Sequence, residues 1–300
     1  MSQFIKTDVL LSVKNVGLSF IEEVKSETEK NIFGFKKTIK KEKVILSEIN
    51  FDILDIVTTD KTVGQVVSLV GKSGMGKTEL IRILSGLPIH GGIIKGDVLV
   101  HHDKIPGHHT LKPVKEGDMG IVFQSYYMPE HLIIKNMLIK SAVKNPDYKH
   151  DTKLIEDAVN SYLNEFELYQ HKDKFPCQLS GGQKQRASII MQLLNGSNFL
   201  LMDEPFSGLD PLMIDKTTAL LQKVADSDEL KTLIIVSHDL VNCAAISDTI
   251  FVLSDKGRPE NTGATISATI DLLELDLAYH ADIKRMPEFH NVIDEVKNLL

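Results

Sequence analysis

Gly71-Lys72-Ser73-Gly74-Met75-Gly76-Lys77-Thr78 fits the pattern G-x-x-x-x-G-K-[ST], whose glycines let successive backbone N–H groups wrap a phosphate with no side chain in the way. Its surroundings decide the fold. Val66-Val67-Ser68-Leu69-Val70 before it reads as a buried strand, and Leu80, Ile81, Ile83 and Leu84 after it mark the packed face of a helix. The helix then starts at the loop, where unpaired N–H groups and the positive end of the dipole favour an anion. In that setting Lys77 reaches the β- and γ-phosphates of a nucleotide and the Thr78 hydroxyl ligates Mg²⁺. The competing reading is a glycine-rich strand-to-helix turn that binds nothing.

Residues 198 to 205, Asn-Phe-Leu-Leu-Met-Asp-Glu-Pro, supply a second half to such a site. An apolar run ending in a carboxylate describes a buried parallel strand that delivers Asp203 to the carboxyl edge of a sheet, as the Mg²⁺ partner. Glu204 stands one residue past the strand, where it can turn toward a water in line with the γ-phosphate and act as general base. Ser180-x-x-Gln183 is a capping box for a helix holding Ala187, Ile189, Ile190, Leu193 and Leu194. A cap on a glycine-rich turn exposes N–H groups, so the helix end formed by Ser180, Gly181, Gly182 and Gln183 suits a phosphate as well.

Gly71 to Thr78, Leu179-Ser180-Gly181-Gly182-Gln183 and Phe199 to Pro205 resemble the Walker A, signature and Walker B motifs of ATP-binding-cassette (ABC) ATPases, over nearly the whole chain. The resemblance implies roles for further residues. Gln124, in Ile-Val-Phe-Gln-Ser, matches the glutamine that senses Mg²⁺ and the attacking water. Ser207-Gly208-Leu209-Asp210 matches the D-loop, and His238 the switch histidine at the γ-phosphate. Phe20 is the candidate for the aromatic that stacks on adenine, although the family usually has Tyr there and Phe33 or Phe35 are alternatives. The implied nucleotide-binding set is thus Gly71, Ser73, Gly74, Gly76, Lys77, Thr78, Phe20, Ser180, Gly181, Gly182, Gln183 and Asp210. Lys77, Gln124, Glu204 and His238 carry catalysis, and Thr78, Asp203 and Gln124 hold the metal.

The fold implied is α/β: a P-loop NTPase (RecA-like) core with an antiparallel β layer and an inserted helical subdomain, of the ABC ATPase type. One such domain fills residues 1–300, with the core and its N-terminal β layer in 1–123 and 180–260. A helical subdomain occupies 124–179 and a tail 261–300. The strand-like stretches Val9 to Phe20 and Val44 to Ile53 fit the β layer. Ile155, Ala158, Val159, Tyr162, Leu163 and Phe166 recur at helical spacing and fit the subdomain. Between the first two stretches, residues 22 to 43 carry seven lysines and five glutamates, which predicts a solvated hairpin or loop. A lipid-touching role for Lys36, Lys37, Lys40, Lys41 and Lys43 is the alternative. Asp55 to Val63 reads as a second, smaller insertion. From Pro287, the positions Phe289, Val292, Ile293, Val296 and Leu299 predict an amphipathic helix packed on its own domain.

Composition narrows the function classes. An apolar fraction of 42% over 300 residues suffices for a core, and a formal net charge of −7 argues against a nucleic-acid surface as the main partner. Cys177 and Cys243 match no metal or redox spacing, which predicts free thiols in a reducing setting. The N-terminal residues lack the apolar core of a signal peptide, and no apolar run approaches the ~18 residues of a membrane span. His101, His102, His108 and His109 flank a turn-like Lys104-Ile105-Pro106-Gly107, where an exposed turn competes with a metal site.

A signature helix end cannot close the nucleotide site of its own cassette, so the resemblance implies two cassettes meeting head to tail. The expected partners are a second copy, transmembrane permease subunits and an extracytoplasmic substrate-binding protein, at the cytoplasmic face of the inner or plasma membrane. Tyr126, Tyr127 and Met128 suit a docking surface for the membrane subunit, or else pack the subdomain. The tail, with Leu273-Glu274-Leu275-Asp276 and Ile283-Lys284-Arg285-Met286, resembles nitrate/sulfonate/taurine-type importer ATPases, while Gln183 stands where those often have Met. Import of a small polar nutrient or anion is the transport reading. A soluble ABC ATPase acting on a macromolecular complex is the alternative.

Overall fold

The structure is a computed structural model that describes residues 4–30, 36–58, 64–101, 110–226, 231–278, 280 and 282–300. In chain order its regular elements are β1 (Phe4–Lys30), β2 (Lys36–Thr58), β3 (Gln65–Val70), α1 (Lys77–Leu84), β4 (Gly92–His101), β5 (Leu111–Pro113) and β6 (Met119–Val122). The helices α2 (Ile134–Ala142), α3 (Thr152–Glu165) and α4 (Gly181–Leu194) follow. The chain then continues through β7 (Phe199–Asp203), α5 (Pro211–Asp226), β8 (Thr232–Ser237), α6 (Leu240–Ala244), β9 (Thr249–Ser254), β10 (Thr265–Asp271) and α7 (Pro287–Leu299).

The described strands form a four-stranded sheet, ordered β2-β1-β4-β5, and a six-stranded sheet, ordered β10-β9-β3-β8-β7-β6. The first is antiparallel throughout; in the second, β9, β3, β8, β7 and β6 run parallel and β10 joins antiparallel at the edge. Every residue of β3, β7 and β8 is buried, as expected of parallel strands covered on both faces. Their alternate residues serve two cores. Val67, Leu69, Leu201, Ile234 and Val236 face the antiparallel sheet, with α1 packed between through Leu80, Ile81 and Leu84. Val66, Val70, Leu200, Met202, Leu233 and Ile235 face the remaining helices.

That second core runs without a break from the sheet through α4 to α2 and α3, so the helices between Gln124 and Ser180 share it rather than enclosing one of their own. α3 begins at Asp151, whose carboxylate accepts the Lys153 and Leu154 N–H groups at 2.9 and 3.1 Å, and it buries Ile155, Val159 and Leu163. The terminal helix α7 starts on Pro287 and buries Phe289, Val292, Ile293 and Val296 in the same core. The residues between 261 and 286, expected as tail, contribute β10 to the main sheet.

Residues 22–30 and 36–43 lie in the antiparallel pair β1 and β2. β1 pairs with β4 only from Leu11 to Phe20, and past that point β1 and β2 pair with one another as far as Lys30 and Lys36. Glu22 lies opposite Lys41 and Glu23 opposite Lys40, while Lys43 Nζ reaches Glu22 at 3.0 Å. Such cross-strand ion pairs hold register more than they add stability when exposed. Phe33 and Phe35 lie outside the described residues, as do His102, His108, His109 and 59–63. Among the described residues no cluster of metal-ligating side chains occurs, and no helix is long and apolar enough to cross a membrane. Cys177 and Cys243 are unpaired by disulfide.

Candidate functional site

Three adjacent parallel strands, β3, β8 and β7, bring their carboxyl ends together: Val70 lies beside Ser237, and Asp203 beside Val236. Two positions of the loop leaving β3, Gly71 and Gly76, have no room for a side chain. A Cβ on Gly71 would stand 2.9 Å from the Leu253 carbonyl oxygen, and one on Gly76 would meet Ile45 at 2.6 Å. Gly76, the residue capping α1, also has φ of 85°, and Gly74 has φ of 83°, conformations that glycine adopts without strain. Ser73 sits on the exposed turn just before Gly74.

Lys77 opens α1 with only 7% of its surface exposed. Its Nζ donates to the Gly71 and Lys72 carbonyls at 2.9 and 3.0 Å and lies 3.5 Å from Glu204 Oε1. The ammonium is therefore held back over the loop, facing the space the loop encloses. Thr78 Oγ1 donates to Asp203 Oδ2 at 2.9 Å, and Asp203 Oδ1 is buried with no hydrogen-bond partner. Burial pushes the Asp203 carboxyl up, helped by the Glu204 charge, against the Thr78 bond and Lys77. A hydroxyl and a carboxylate with one oxygen unsatisfied form a hard-oxygen donor set, which fits Mg²⁺.

Glu204 has φ of 52°, and its N–H donates to the Val236 carbonyl at 2.8 Å. Its carboxylate accepts from Ser237 Oγ at 2.6 Å and from the His238 N–H at 3.2 Å, and it contacts His238 Nδ1 at 2.9 Å. Burial alone would raise its pKa, but these bonds and the Lys77 charge outweigh burial and hold it below the ordinary carboxylate value. Glu204 is thus ionised at neutral pH. Lys77, Thr78, Asp203, Glu204 and His238 converge as the sequence expects. Ser237 is the member that motif reading passes over; its signal is a polar residue closing the buried apolar run Leu233 to Val236.

Other expected site residues stand apart. Gln124 follows β6, and its Nε2 donates to Ser207 Oγ at 3.1 Å, which ties it to the segment after Glu204 rather than to the Thr78–Asp203 pair. Asp210 caps α5, its carboxylate accepting the Met213 N–H at 3.0 Å. Phe20 is half-buried against the core between the sheets, with Lys43 on one side and Gly92 on the other. Of the three candidate docking residues, Tyr127 is 81% exposed while Met128 is buried and Tyr126 packs on the helical core. The surface reading therefore fits Tyr127 and not Met128.

Ser180 caps α4. Its hydroxyl accepts the Gln183 N–H at 3.4 Å and Gln183 Oε1 accepts the Ser180 N–H at 3.0 Å, the reciprocal pair of a capping box. Ser180 and Gly181 are exposed, and a Cβ on Gly181 would meet nothing within 4 Å. The helix end opens to its surroundings, and none of the hydrogen bonds among described residues links 180–183 to 71–78. Ser180→Ala should destabilise the fold by about 1 kcal/mol, the usual value of a cap. Urea unfolding should show this as a lower midpoint with an unchanged slope.

Comparison with known proteins adds to this geometry. The ABC transporter family profile matches residues 54–207. The sulfate/thiosulfate import ATP-binding protein CysA of Pseudomonas putida is 30% identical over 249 residues, covering 81% of this chain and 73% of that protein. The lipoprotein-releasing system ATP-binding protein LolD of Treponema denticola is 31% identical, over 74% of this chain and 93% of that one. Among solved structures, cbiO1 from Clostridium perfringens, part of the ABC transporter complex cbiONQ, superimposes with a TM-score of 0.62 at 22% identity, over 96% of this chain and 100% of that chain.

Proposed function

The chain belongs to the ABC transporter family of ATP-binding subunits, and from that premise we propose that it hydrolyses ATP to drive head-to-tail closure of two cassettes, coupled to cargo movement through separate membrane subunits. The observation that carries this reading is the convergence of Lys77, Thr78, Asp203, Glu204 and His238 at the ends of β3, β7 and β8. Each residue has a task. Lys77, already facing the space enclosed by the loop, neutralises the β- and γ-phosphates. Thr78 and Asp203 would hold Mg²⁺, which would neutralise phosphate charge. Glu204, ionised, orients the attacking water and accepts its proton. His238, on the exposed side of Glu204, contacts the γ-phosphate.

Ser180 and the Gly182 amide of a second copy close the site from the other side, because an open helix end is an anion site and its own phosphate loop makes no contact with it. Closure is favoured only while the γ-phosphate bridges both copies, so hydrolysis removes the differential affinity that keeps the dimer shut. Gln124, bonded to Ser207, stands where the helical segment leaves the sheet and passes this change on. Phe20, half-buried on β1, would offer its ring to the adenine. On this reading the exposed Tyr127 contacts a permease subunit, and the protein sits peripherally at the cytoplasmic face of the membrane.

The cargo class that fits best is a small polar nutrient or anion, on the sulfate/thiosulfate name of the Pseudomonas putida relative and the tail's likeness to nitrate/sulfonate/taurine-type importers. An extracytoplasmic binding protein would then complete the complex. Tagged Glu204→Gln protein purified with ATP from detergent-solubilised cells should bring down multi-spanning membrane proteins. Recovery of soluble partners alone would replace this reading with that of a non-transport ABC ATPase.

A further inference from the structure

Ser237 closes β8 with its residue fully buried, and its hydroxyl makes the shortest contact on the Glu204 carboxylate, 2.6 Å to Oε2. A second contact sets the direction of that bond. Ser237 Oγ accepts the Asp239 N–H at 3.1 Å, while a carboxylate only accepts, so the hydroxyl proton is directed at Glu204. The main chain of Ser237 is pinned as well: its carbonyl accepts the Gly71 N–H at 3.3 Å, and it pairs with Val70 across the sheet. A buried residue whose main chain is tied to the first residue of the phosphate loop thus holds, through its hydroxyl, a carboxylate carried just past the end of the neighbouring strand.

Glu204 needs such a hold. Its left-handed backbone, with φ of 52°, is one that residues other than glycine keep only where their surroundings enforce it. Its remaining side-chain partners are the ones a nucleotide would draw away. Lys77 is 3.5 Å distant and faces the loop, and the His238 side chain is 53% exposed. Ser237, by contrast, is fully buried.

We infer that Ser237 is a positioning residue for Glu204, keeping the carboxylate aimed when Lys77 and His238 turn to the phosphates. This rests on the reading of Glu204 as the general base. The test uses the full-length chain as Ser237→Ala, Ser237→Thr, Glu204→Gln and the double variant Glu204→Gln/Ser237→Ala, measuring phosphate release and the affinity for a fluorescent ATP analogue. Ser237→Ala should lower kcat about 10-fold, the scale of one lost hydrogen bond to a charged group, with KM and nucleotide affinity changed by no more than about twofold. Ser237→Thr should restore the rate, and Ser237→Ala should slow Glu204→Gln no further, because the hydroxyl acts only through the carboxylate. Ser237→Cys, of similar size with a weaker donor, supplies the same comparison should the alanine variant not fold. Wild-type kcat in Ser237→Ala, or an added 10-fold loss in the double variant, overturns the assignment. Wild-type turnover in Glu204→Gln would instead remove the base reading it starts from.

Discussion

Glu204→Gln should slow ATP hydrolysis by about 10²-fold or more, the scale of a lost general base, while ATP binding persists and the ATP-bound dimer accumulates. The amide keeps the size of the side chain and can still accept from Ser237 Oγ, whose 2.6 Å bond to Oε2 needs only an acceptor. What disappears is the negative charge. The native carboxylate is held below its ordinary pKa, so it is ready to take a proton at neutral pH, and a neutral amide is not. Removing that charge also lifts repulsion toward the γ-phosphate, which favours the closed state. Size-exclusion chromatography with light scattering should show a dimer that depends on ATP and survives in the variant, against a transient one in the wild type. A variant that turns over at the wild-type rate would exclude Glu204 as the base.

The contrast between Glu204 and Ser237 shows which parts of the site were legible in the sequence. Gly71 to Thr78, Phe199 to Pro205 and Ser180 to Gln183 are contiguous stretches in which each residue type answers a local demand: glycine for the turn, a carboxylate for the strand end, a hydroxyl for the cap. Local demands can be read without the fold. Ser237 meets Glu204 only because β7 and β8 lie side by side, and Gln124 meets Ser207 across 83 residues of chain. Sequence order carries no trace of either pairing. The same limit explains Met128. An apolar side chain beside two tyrosines suits an interface or a core equally well by composition, and the packing of α2 and its neighbours puts it inside.

The fold divides the same way. The mostly apolar run Val66 to Val70 reads as a buried strand, yet the two-sided burial of β3 that hands Val67 and Leu69 to one core and Val66 and Val70 to another depends on α1 lying between the sheets. Residues 22 to 43 were polar enough to read as hairpin or loop. Opposite charges at Glu22–Lys41 and Glu23–Lys40 become a reason for strand pairing only once the register of β1 on β2 is known. β10 went unseen because its seven residues show partial alternation and are mostly half-exposed, the pattern of an edge strand.

Lys77→Ala should abolish measurable ATP binding, raising Kd by about 10²-fold or more, with little loss of fold stability. A buried ammonium ordinarily stabilises through its partners, but here two of them are the Gly71 and Lys72 carbonyls at 2.9 and 3.0 Å, in a loop whose residues 72 to 74 are exposed. Those carbonyls can be rehydrated once the side chain is gone, so unfolding should change little. Binding has no such substitute. Without Lys77, the nucleotide would approach Asp203 and Glu204 with no facing cation at the loop, and like charges in a partly desolvated site repel strongly. Lys77→Arg should recover little, since the planar guanidinium cannot donate to both loop carbonyls and reach phosphate from the compact position of an ammonium. Isothermal titration with ATP, paired with thermal melting of each variant, separates the two effects. Normal affinity in Lys77→Ala would mean that phosphate contact rests on the loop amides and helix end alone.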